Sequence, residues 1–205
     1  MDYLLLTKAS IIGLSIAAPV GPVGLLCMQR TLISGPKVGL ACGLGAASAD
    51  ALYGAIGAFG LTSVTQIFTS LSAPLALLGG LFLFLLGFQL ISTKQKRSKS
   101  IAETRSGIFK AFTSTMALTL ANPITILSFI AVFSALGGNI ALSYESSSIM
   151  IFGVFLGSAA WWLILTLGVS IIRHKITPLM MLIVSKVAGV LLMVFGGWQV
   201  ISLTL

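Results

Sequence analysis

Five stretches of this chain carry no charged residue: Ala9 to Gln29, Ala51 to Thr93, Ala111 to Tyr144, Ser146 to Ile172 and Val187 to Leu205. A helix needs roughly 20 apolar residues to cross the hydrocarbon core of a bilayer, and most of these stretches reach that length. Only 8% of the 205 residues are charged and 57% are hydrophobic, whereas an ordinary soluble domain carries about 25% charge. The expected fold is therefore an all-α membrane protein, multi-pass, with the lipid bilayer as its main surroundings.

Turn clusters and helix breakers divide the chain into six expected spans. They run about Leu5–Met28, Val38–Phe59, Leu75–Ser92, Ile108–Ser134, Ile149–Ile172 and Leu179–Leu203. The net charge of +8 is concentrated between spans, above all in "KQKRSKSIAETRSGIFK", Lys94 to Lys110. Basic blocks of this kind mark cytoplasmic loops and can touch anionic headgroups; no nucleic-acid partner is expected. With the N-terminus outside, Arg30, Lys37, the Lys94–Lys110 block, Arg173 and Lys175 all face the cytoplasm, while Phe68–Pro74 and Gly137–Ser148 contain no Lys or Arg. Both termini are thus expected outside a cytoplasmic (inner) membrane.

The halves resemble each other. "GGLFLFLLGFQLIS" from Gly79 lies over "GVLLMVFGGWQVIS" from Gly189, and "GAASAD" at Gly45 lies over "GSAAWW" at Gly157. Three spans per half make the second repeat enter the membrane upside down. The chain reads as a single domain over 1–205, with repeat one at about 1–93, the basic loop at about 94–107 and repeat two at about 108–205.

Each repeat opens on an interrupted span. "AAPVGPVG", Ala17 to Gly24, sets Pro19, Gly21 and Pro22 inside an apolar run, and "ANP" sets Asn122 and Pro123 in the fourth. Pro123 has either Gly21-Pro22 or Pro19 as its counterpart. Unwound backbone in a membrane survives only where it lines a cavity or is buried in protein, and paired breaks in inverted repeats point to a central binding site. The half-helix N-termini would offer partial positive charge to a carboxylate.

Asp50 lies midway along the second span. A charged Asp at a helix centre costs roughly 2.5–3.5 kcal/mol on insertion scales, and such residues are functional by default. Gly39, Gly43, Ala46, Asp50, Gly54 and Gly57 fall on one helical face, a small-residue packing face that turns Asp50 toward protein. The repeat puts Trp162 where a second acid would stand. Asp50 could bind a substrate ammonium or carry a coupling proton; both roles stay open. Gln89 and Gln199 recur near span ends, where interhelical hydrogen bonds are expected.

These features together resemble the LysE family of amino-acid exporters, with its LysE, ArgO and RhtB branches. The carriers are "APVGPVG" in the first span, "GLGAASAD" ending at Asp50, and "ANP" at Ala121 to Pro123. The resemblance implies a secondary transporter exporting amino acids or related small metabolites, driven by the proton motive force. Val23-Gly24 and Ile124 stand where relatives carry polar residues.

Other functions fit less well. A membrane thiol–disulfide carrier needs a cysteine in each half, but Cys27 and Cys42 both lie in the first. A divalent-metal exporter needs several ligands, and Asp50 is the one acid well inside a span. An enzyme would need an acid–base or nucleophile pair, and none accompanies Asp50. A membrane assembly protein would tolerate its loss. No cofactor or metal is expected, and the small-residue faces also suit a homodimer.

Overall fold

The structure, a computed structural model, describes residues 3–19, 21–59, 72–92, 105–122, 125–129, 132, 143–173, 175 and 177–201. Pro123, Ile124, His174, residues 93–104 of the basic loop, and residues 60–71 and 133–142 of the loops expected opposite it lie outside these. The described secondary structure is helical throughout: α1 (Tyr3–Ala17), α2 (Pro22–Ser34), α3 (Pro36–Ala58), α4 (Ser72–Ser92), α5 (Arg105–Leu120), α6 (Tyr144–Arg173) and α7 (Pro178–Ile201). A helical stretch at 125–129 follows α5.

Among the described residues, α3, α6 and Leu182–Ile201 of α7 are long and apolar enough to cross a membrane. α1 and α2 meet at 81° and together are long and apolar enough for a fourth, broken span or a re-entrant loop. The Ala76–Ser92 part of α4 is apolar but shorter. The first break lies where "AAPVGP" predicts it, with Pro22 opening α2, a position where its missing N–H is no loss. α5 likewise ends at the turn of Ala121 and Asn122.

Two expected boundaries are corrected. Because α2 restarts only at Pro22, it carries the first span on to Ser34, and Arg30 lies inside this helix rather than in the connection after it. The chain turns instead at Gly35, whose φ of 96° favours a residue without Cβ; Pro36 then opens α3. α6 begins at Tyr144, inside the stretch expected to be a polar turn. Ser143 caps it, its Oγ accepting from the Ser146 N–H at 3.2 Å, and Ser147 Oγ donates to Ala58 O at 3.1 Å. These serines serve helix initiation and interhelical contact.

Glycines set the closest approaches. A Cβ at Gly45 of α3 would strike Phe112 O and lie 3.2 Å from Met116 N, both on α5. A Cβ at Gly157 of α6 would strike Ser10 O and lie 2.9 Å from Leu14 N, both on α1. α4 and α7 pack antiparallel, Gly80 against Gly196 and Gly87 against Gly189. α3 and α6 form the centre, bringing together Gly43 with Trp162 and Gly54 with Val154.

The two ends of the bundle differ. At one end Arg173 Nε donates to Leu32 O at 2.9 Å, near exposed Lys37 at the start of α3. At the other, Phe59 and Tyr144 place their rings 5.9 Å apart. Arg105 and Lys110 open α5, whose Ala111 and Ser114 touch Arg30.

Candidate functional site

α3 places Asp50 against α6, with its side chain 3% exposed. Ser158 Oγ, itself fully buried, donates to Asp50 Oδ2 at 2.6 Å. Ser158, Trp162 and Thr166 recur every fourth residue of α6, so they share one face. That face meets the small residues of α3: Gly43 lies under Trp162, and Gly39 lies between Thr31 and Thr166. Gly54 makes ordinary contact with Val154, and Gly57 is half-buried. The small-residue face therefore does turn Asp50 into protein. Among the described residues, Asp50 is the one buried acid; Glu145 is exposed on the first turn of α6.

Trp162 Nε1 and Thr166 Oγ1 are buried and have no hydrogen-bond partner among the described residues. Leaving a buried polar group unsatisfied costs about 1–3 kcal/mol each, so this face holds polar groups in excess of what packing needs.

The two interruptions come together. Pro22 and Val23, at the start of α2, and Leu118, Ala121 and Asn122, at the end of α5, line one closely packed crevice that leaves no room for a water molecule. Gly79 and Leu83 of α4 and Gln199 of α7 close it. Gln199 Nε2 also donates to Ala76 O at 2.7 Å, the interhelical bond expected of this repeated glutamine. Gly21 is half-buried at the mouth of α2 and Pro19 is exposed. Of the two candidate prolines in the first break, Pro22 is the one that reaches the second break.

Tyr53, one turn beyond Asp50, ties the two features together. Its hydroxyl donates to Leu120 O at 2.7 Å, the last residue before the second break, and its ring stacks on Phe129 at 5.4 Å. Tyr53→Phe removes this bond and leaves a partly buried carbonyl short of a donor. We expect a loss of about 1 kcal/mol, read as a lower midpoint of thermal unfolding.

Sequence reasoning missed Arg30. It is 8% exposed, and its Nη1 donates to Ser114 Oγ at 2.9 Å, Thr115 Oγ1 at 3.1 Å, Ala111 O at 3.3 Å and Cys42 Sγ at 3.4 Å. The signal present in the sequence was its spacing from the break. Pro22 restarts the helix eight residues earlier, which leaves Arg30 within the span. Cys42 and Cys27 are buried side by side beneath it. Among the described residues no three His, Cys, Asp or Glu side chains come together as a metal site.

Interrupted helices that meet inside an apolar bundle, beside a lone buried carboxylate, are the construction of a membrane transporter rather than of an enzyme. The chain belongs to the LysE type translocator family, whose model matches residues 14–202. It is 28% identical over 203 residues to the Bacillus subtilis (strain 168) protein named "Putative amino acid efflux protein YcgF", covering 92% of this chain and 93% of that one. It is 27% identical over 178 residues to "Uncharacterized membrane protein YahN" of Escherichia coli (strain K12), covering 82% of this chain and 77% of that one. No solved structure matches the chain. As a translocator it carries a small-molecule substrate and works within lipid.

Proposed function

We propose that the chain exports amino acids or related small metabolites across the cytoplasmic membrane, driven by the proton motive force. The observation that carries this reading is the convergence of both interruptions on one crevice, beside the helix that holds Asp50. The name of the Bacillus relative supplies the cargo class. The half-helix ends suit a substrate carboxylate, and Asp50 suits either its ammonium or the coupling proton.

The same reading takes the bundle as six spans in two inverted three-span repeats, with broken helices 1 and 4. Reciprocal packing supports it: α1 lies on α6 through Gly157, and α5 lies on α3 through Gly45, the two glycines that align in the sequence repeat. Ser10 and Leu14 of α1 play the part of Phe112 and Met116 of α5. The shared offset of these two pairs carries Gly21-Pro22 to within one residue of Asn122-Pro123.

Both termini are placed outside, with Lys37, Lys110 and Arg173 toward the cytoplasm, by the positive-inside rule. Single cysteines introduced at exposed Lys37 and Tyr144 should then react with an impermeant maleimide from opposite faces, Tyr144→Cys in intact spheroplasts and Lys37→Cys only in everted vesicles. The reverse pattern would invert the topology. The cargo is tested by efflux from cells preloaded with dipeptides, comparing wild type, Asp50→Asn and empty vector across a panel of released amino acids. Equal release from all three, with expression verified, would sink the amino-acid reading.

A further inference from the structure

Arg30 has no role in the account above, yet it is the least expected group in the bundle. We propose that Arg30 is a carboxylate-recognition site on the transport path, taking the anionic end of the cargo at the seam between α2 and α5 before the cargo reaches Asp50. This rests on the transporter reading and specifies its cargo as carboxylate-bearing.

Charge is the first argument. The guanidinium is a cation buried among helices, and among the described residues no carboxylate lies within ion-pair distance of it. Asp50 is engaged by Ser158, and Glu145 is exposed on the first turn of α6. Two hydroxyls, a carbonyl and the sulfur of Cys42 are its partners. A buried cation is ordinarily paired, and neither described carboxylate pairs with this one.

Geometry is the second. Every hydrogen bond of the guanidinium runs through Nη1. The Nε–Nη2 edge, which grips a carboxylate through two parallel bonds, donates to nothing among the described residues. Nη1 thus fixes the group's orientation while the recognition edge is left over.

Position is the third. Val23, Cys27 and Arg30 fall on one face of α2, and Leu118, Thr115 and Ala111 on one face of α5. Val23 and Leu118 line the crevice where the breaks meet, and Arg30 and Ala111 touch at the other end. One antiparallel seam therefore joins Arg30 to the crevice. Its outer end carries Arg105, Lys110 and Lys37, a field that draws anions in.

Arg30 and Asp50 cannot hold one α-amino acid together. Cys42, which touches Arg30, and Asp50 are eight residues apart on α3, roughly 12 Å along the helix. The ammonium and carboxylate of an α-amino acid are joined through a single carbon. The two sites must act in turn; Trp162 packs on Gly43, near the Arg30 level, and Thr166 lies beyond it against Gly39.

The test uses purified full-length protein in detergent, with thermal unfolding followed while sodium propionate is titrated in. Propionamide serves as the neutral isostere, and sodium chloride is matched for ionic strength. Propionate should raise the wild-type midpoint saturably by roughly 3 °C, propionamide and chloride should not, and Arg30→Gln should abolish the response. Arg30→Lys, which keeps the charge without the fork, should weaken the apparent affinity about tenfold and serves if the glutamine variant fails to fold. An arginine that only staples α2, α3 and α5 would lower the midpoint of both variants without any propionate response to lose. No propionate response in wild type, or an equal one in a folded Arg30 variant, overturns the proposal. The efflux panel separates the two readings. A propionate response through Arg30 without amino-acid release would leave this site standing and reassign the cargo to another carboxylate. Amino-acid release without the response would retain the export reading and remove Arg30 from it.

Discussion

Asp50→Asn is expected to insert, fold and reach the membrane in wild-type amounts, yet to release amino acids no faster than the empty vector. The substitution keeps the volume and an acceptor for Ser158 Oγ, so the 2.6 Å contact between α3 and α6 can persist. Removing a charge from a helix centre, if anything, eases insertion, by an amount on the order of the 2.5–3.5 kcal/mol that a charged Asp costs there. What the variant cannot do is exchange a proton or offer a negative charge to an ammonium. Export measured beside membrane abundance therefore separates function from folding. Wild-type efflux from Asp50→Asn would show that the acid is structural. Ser158→Ala is the companion: it should leave efflux measurable while changing its pH profile, because the carboxylate loses a neighbour but not its charge.

The second large effect is on stability. Gly157→Leu and Gly45→Leu should each lower the unfolding free energy by about 3 kcal/mol, the upper end of overpacking costs. At each glycine the added Cβ meets a backbone carbonyl of the neighbouring helix, Ser10 O or Phe112 O. Backbone cannot rotate away as a side chain can, so the helices must separate and lose contact along their length. Gly168→Leu is the control, because a Cβ there has nothing within 4 Å. Thermal unfolding in detergent should rank the control near wild type and the other two well below it. If Gly157→Leu unfolds with the control, the α1–α6 approach is looser than this packing implies. Because the proposed repeat makes the two glycines equivalent, equal losses would also support the paired arrangement.

The membrane character, the break at "AAPVGP" and the inward face of Asp50 were all legible in the chain because each follows from a local rule. Charge-free length selects lipid, proline and glycine interrupt helices wherever they stand, and small residues every three or four positions define a face. The polar serines before Ile149 misled for the same reason. Read locally they form a turn, but Ser143 caps a helix and Ser147 finds the carbonyl of Ala58 on another one.

Arg30 was illegible for a different reason. A basic residue following an apolar run has the pattern of a span end, and only the 81° bend between α1 and α2 carries the chain far enough to bury it. Its partners, Ala111, Ser114 and Thr115, lie more than eighty residues away. Ser158 and Leu120 are likewise distant partners of Asp50 and Tyr53. The sequence by itself determined what solvent the chain occupies, where its helices break and which residue is the improbable acid, because these depend on composition and local spacing. Only the tertiary structure decided that the two breaks share one crevice, that Ser158 serves Asp50 and that a second charged group lies inside the bundle. Such contacts depend on which helices become neighbours, and that is set by the packing of whole faces rather than by any short stretch of chain.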